Sequence, residues 1–97
     1  MDIQVNLEQA VSEFTYAEKM ITKSLLSNLD LSQDSYKATI NMKLLALETD
    51  LSRAMLVNGI KTLCVLGVIA THNRGPAGTC IIVRNAEACR HILELCS

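Results

Sequence analysis

Residues 58–70, NGIKTLCVLGVIA, decide the fold of this chain. Read one way, the stretch prolongs a helix that begins upstream. Read the other way, it opens a strand. Gly59 and Gly67 argue against the helix, since each costs about 1 kcal/mol relative to alanine in a helix interior. Threonine, valine and isoleucine also replace the leucine, methionine and alanine of the preceding segment, and β-branched residues suit a pleated surface better than a helix. A second short β-branched run, TCIIVR, stands at residues 79–84. Between the two lies ATHNRGPAG, residues 70–78, with the only proline and two of the four glycines. Two such runs bounded by Gly, Pro and Asn predict a β-hairpin within residues 60–84. The alternative is an all-α chain whose second helix continues to residue 70.

Upstream of Asn58 the pattern is helical. Asn6 reads as a helix cap with Gln9 three residues on, and Val5 and Ala10 stand at staple positions. Leu7, Ala10, Phe14, Ala17, Ile21 and Leu25 then recur at three- and four-residue steps and share one face. This helix is expected to end near Leu29. Ser32 is the next cap candidate, with Asp34 in the first turn beside the positive end of the helix dipole. Tyr36, Ile40, Leu44, Leu47, Leu51 and Met55 mark a second stripe. Two such helices with a short link form an antiparallel αα-hairpin over residues 1–57. Downstream, Asn85 caps a last helix over residues 85–97, with Glu87 in its first turn. The expected class is therefore α+β: a helical hairpin, a β-hairpin and a C-terminal helix in one domain of 97 residues.

Apolar residues make up 49% of the sequence and the mean hydropathy is +0.25, high for a chain that buries only a modest core. Leu26 and Leu29 in the first helix, and Met42, Leu45 and Leu56 in the second, widen the apolar faces beyond what two helices cover mutually. Either the C-terminal third covers them or another copy does. Tyr16, Leu26, Met42, Leu45 and Leu56 are thus the candidate partner or oligomer contacts, Tyr16 because tyrosine gives large contact area at low entropy cost.

The loop HNRGPAG offers the other candidate site. His72, Arg74, Gly75, Gly78 and Arg84 would hold a small anion such as a nucleotide at a subunit boundary. The loop lacks a Gly-Lys-Ser/Thr ending and feeds a strand rather than a helix, so the phosphate-loop and dinucleotide fingerprints are absent. Pro76 removes one N–H from such a cradle. A turn explains it better. The spacing of Cys64, Cys80, Cys89 and Cys96 matches no zinc pattern, and no cofactor or metal is expected. The cysteines read as free, apolar, structural residues.

The formal net charge is −1 and there are three aromatic residues. Both features argue against nucleic acid. The N-terminus has no basic and then apolar leader pattern, and no apolar run approaches the ~18 residues a membrane span needs. The expectation is a cytoplasmic, non-catalytic protein that self-associates. It would bind a protein partner to regulate, inhibit or escort it, by apolar helix-against-helix burial. The alternative is an oligomeric binder of a small anion at the HNRGPAG loop.

Overall fold

A computed structural model describes residues 3–73 and 78–96. The fold is α+β, five helices with a three-stranded antiparallel sheet. The helices are α1 (Ile3–Ser12), α2 (Tyr16–Ser27), α3 (Met42–Thr49), α4 (Arg53–Val65) and α5 (Ala86–Cys96). The strands are β1 (Lys37–Ile40), β2 (Ile69–Asn73) and β3 (Thr79–Val83).

The helical hairpin expected over residues 1–57 is broken at residues 13–15, by the strand at 37–40 and at residues 50–52. Asn6 lies inside α1 rather than capping it. The first long helix is interrupted at residues 13–15, where Thr15 starts α2 with a capping box. The Glu18 N–H donates to Thr15 Oγ1 at 3.1 Å and the Thr15 N–H donates to Glu18 Oε1 at 2.9 Å. The second long helix does not begin at Ser32. Residues 37–40 are a strand instead, and Asn41 caps α3 by accepting from the Lys43 and Leu44 N–H groups. Pairing with β3 overrides the helical period here, because Ala38 and Ile40 reach the core only from an extended chain. Asp34 does cap a helix, but a distant one. Its Oδ1 accepts from the Ala86 N–H at 2.7 Å, at the start of α5, where Asn85 Oδ1 also accepts from the Ala88 N–H.

Residues 58–70 divide between the helical and the strand reading. Residues 60–65 complete α4, so the helix runs straight through Gly59. Gly59 is there for packing: a Cβ on it would come within 2.6 Å of Ile21 Cδ1 on α2. The helix stops at Gly67, which takes φ +79 while its N–H bonds back to the Cys64 carbonyl. The β-hairpin begins only at Ile69, shorter than the 60–84 expected.

β3 is the central strand, with β1 and β2 paired antiparallel on either side. Alternation puts Ile69, Ile81 and Val83 on the inner face, where they are buried with Leu25, Leu56, Leu63 and Ile92 of the helices. Lys37, Thr39, Ala70, His72, Cys80 and Ile82 share the other face. α2 lies at the centre of the helical layer, packed on α3, α4 and α5.

Candidate nucleic-acid interface

α3 and α4 are joined by three residues, Asp50, Leu51 and Ser52. Asp50 adopts a left-handed conformation, φ 58, that reverses the chain, and its N–H caps α3 on the Ala46 carbonyl. Ser52 Oγ then accepts from the Met55 N–H and starts α4. A connection of this length suits a helix–turn–helix as well as an αα-hairpin. The second helix buries Leu56, Ile60 and Leu63 and leaves Arg53, Ala54, Val57, Asn58 and Lys61 facing out.

Arg53, Val57, Lys61 and Cys64 fall on one stripe of α4 and form one wall of a groove of about 460 Å³. Thr71 of β2 and Thr79 of β3 form the facing wall. The groove is thus open between a helix with two cations and the end of a β-hairpin. Residues 42–84 hold five Lys/Arg against two acidic residues, whereas the rest of the chain holds four Lys/Arg against eight acidic residues. The near-neutral total therefore averages a basic α3–turn–α4 unit and hairpin with an acidic remainder.

Of the loop residues proposed as an anion site, Arg74 and Gly75 lie outside the described residues. His72 is exposed on β2, directly opposite the buried Cys80 of β3. Gly78 has φ +113, and a Cβ on it would lie 2.7 Å from the Ile40 carbonyl oxygen of β1. Its role is a close backbone approach. Arg84 is exposed at the far end of β3, four residues beyond Cys80, or roughly 13 Å along the strand. The strand separates it from His72 and Gly78, so these three described residues do not converge.

The proposed contact residues also divide. Tyr16 is 76% exposed on α2. Leu26, Met42, Leu45 and Leu56 are buried in the chain's own core, where the strands and α5 complete the packing. The large apolar residues left in solvent include Leu44, Leu47, Met55, Val57 and Val65. Sequence reading missed Arg53, Val57 and Lys61 as a set. The signal was present in the four-residue spacing, but it emerges only once α4 is known to start at the Ser52 cap.

The four cysteines are free. Burial pushes the Cys89 thiol up to about 11, and its Sγ donates to the Val68 carbonyl at 3.4 Å. Burial likewise raises Cys96. Thiols held neutral in this way are poor nucleophiles. Among the described residues no group of three His, Cys, Asp or Glu side chains could hold a metal ion, and no helix is long and apolar enough to cross a membrane. No protein-family model and no curated protein matches the chain.

Proposed function

We propose that this protein binds duplex nucleic acid non-catalytically, and regulates by occupying its site. α4 would enter the major groove, with the β2–β3 hairpin against the neighbouring backbone. The observation that carries this reading is the α3–turn–α4 unit whose second helix turns Arg53, Val57 and Lys61 outward beside the hairpin, with Asn58 exposed next to them toward α1 and α2. In helix–turn–helix motifs the second helix lies in the major groove and its N-terminal residues meet base edges. The side chains suit that role. Asn58 has the amide to pair an adenine edge, Val57 the methyls to meet a thymine methyl, and Arg53 the fork for a guanine or a phosphate. The order of elements, with β1 before the helix pair and the hairpin after it, supports the reading as a winged helix–turn–helix arrangement.

This departs from the expectation that nucleic acid is an unlikely partner, and the reason is physical. Whole-chain charge governs long-range steering, but phosphate contacts depend on the charge of the docked face. Scarce aromatics weigh against stacking on unpaired bases, not against reading a duplex groove. A protein contact is a second reading, favoured by the exposed Leu44 and Leu47 of α3.

Fluorescence anisotropy with a labelled duplex of about 25 base pairs tests the proposal. Micromolar or tighter binding in low salt is expected, loosening as salt rises. Replacing both Arg53 and Lys61 by alanine should lower the slope of log K against log salt by about 2, as expected for the loss of two phosphate contacts. Absence of binding in low salt, or a slope that both replacements leave unchanged, overturns it.

A further inference from the structure

We infer that the outer face of α3 is a self-association surface whose occupant is a second copy of this chain, with its own α3 packed antiparallel. Leu44 is 62% exposed and Leu47 is 79% exposed. Three residues apart, they lie side by side on the helix and form one apolar patch. The buried side of α3 is occupied by Met42, Leu45 and Thr49, so the patch points directly away from the core. It continues into a groove of about 370 Å³ between α3 and β1, which Ile40 and Leu44 help to line.

The charges around the patch select the occupant. Lys43 stands in the first turn of α3, Glu48 in the last, and Asp50 just beyond. All three are exposed. An antiparallel pairing of two copies about a two-fold axis sets Leu44 of each against Leu47 of the other. It also turns Lys43 of each toward the Glu48–Asp50 end of the other. A parallel pairing sets base against base and acid against acid. The helix dipoles favour the antiparallel choice as well. The surface is therefore complementary to itself, the requirement of a closed two-fold dimer. A foreign partner imposes no such match between the two ends of one helix. The surface does not rest on the nucleic-acid reading, because neither leucine lines the groove beside α4.

Sedimentation equilibrium of the full chain from about 1 to about 200 µM tests the inference. A reversible monomer–dimer equilibrium is expected. Leu47→Glu should raise the dimer dissociation constant at least tenfold while leaving the circular-dichroism melt unchanged. Lys43→Glu and Glu48→Lys should each weaken the dimer about two- to fivefold, the range of exposed ion pairs. An equimolar mixture of those two variants should form a heterodimer tighter than either homodimer, because both cross-pairs are then opposite in sign. The mixture keeps the test decisive even if Leu47→Glu alters the fold. A chain that stays monomeric throughout overturns the inference and leaves the face to a different partner. A dimer unmoved by a folded Leu47→Glu also overturns it, as does a mixture no tighter than its parents.

Discussion

Two apolar stripes of similar spacing run through the first half of the chain, and only the first faces the core along its whole length. In the first, Leu7, Ile21 and Leu25 are buried and Ala10, Phe14 and Ala17 are half-buried. In the second, Tyr36, Ile40 and Leu51 are half-buried, Leu44, Leu47 and Met55 are exposed, and the off-stripe Met42, Leu45 and Leu56 are buried. Both stripes are interrupted. The first is interrupted by a short turn between two helices, and its face survives. The second is interrupted by a strand, a helix cap and a left-handed turn, each of which rotates the next element. Periodicity therefore survives a short turn between two helices, as in the first stripe, but the phase restarts where a strand or a left-handed turn intervenes.

The sharpest way to break this comparison is to truncate two leucines of the same helix. Leu45 is 2% exposed and Leu47 is 79% exposed. Leu45→Ala should cost about 2–5 kcal/mol, from lost transfer energy and a cavity. Leu47→Ala should stay within about 0.5 kcal/mol. Urea denaturation of both variants checks this at a concentration low enough to keep the chain monomeric. Equal losses would mean that α3 presents the face its sequence stripe predicted.

A smaller effect is expected where the strand that resets the second stripe is held in place. Gly78 combines φ +113 with a Cβ position 2.7 Å from the Ile40 carbonyl oxygen. Gly78→Ala should cost about 1–3 kcal/mol in backbone strain. Much of that should appear locally, as faster amide hydrogen exchange in β1 than in α2. Uniform exchange across the molecule would show that β1 is not held through this contact.

The contrast between the stripes also explains what the sequence made legible. The α+β class came from the β-branched runs at residues 61–70 and 79–84; the second forms β3, whereas the first is mostly the end of α4 and only its last two residues enter β2. The Asn85 cap of the last helix was readable because it is local. β1 was not readable, because a four-residue strand is specified by its partner β3 about forty residues away in sequence. Asp34 illustrates the same limit. Its carboxylate was read as lying in the first turn of a helix capped by Ser32, but no helix forms there, and it instead accepts from the Ala86 N–H at the start of a helix 52 residues later. Of the candidate interface, Arg53 and Lys61 depended on the start of α4, and the regional charge depended on knowing which segments form one face. The sequence-level focus on His72, Arg74, Gly75, Gly78 and Arg84 treated proximity along the chain as proximity in space, and β3 separates Arg84 from the rest of those that are described.

The smallest effect belongs to the break that left its stripe intact. Glu18 closes the capping box and also accepts from Thr62 Oγ1 of α4 at 2.9 Å, so the carboxylate joins the start of α2 to α4. The Thr15 backbone N–H is the main reason its carboxyl titrates below the usual 4.5. A depressed folded-state pKa stabilises the protein above the unfolded-state value, and that stability fades as pH falls through the folded one. Glu18→Gln keeps one acceptor oxygen, enough for only one of the two donors, and removes the charge. The site is open to water, so screening holds the difference from wild type under ~1 kcal/mol near neutral pH. That difference should close as the pH falls through the lowered folded-state value of Glu18, below which the wild-type carboxylate is protonated too. Thermal melts of both proteins across this range measure it. A gap that persists unchanged in acid would place the stabilisation in hydrogen-bond geometry alone, and the first stripe would then be held through its break without help from charge.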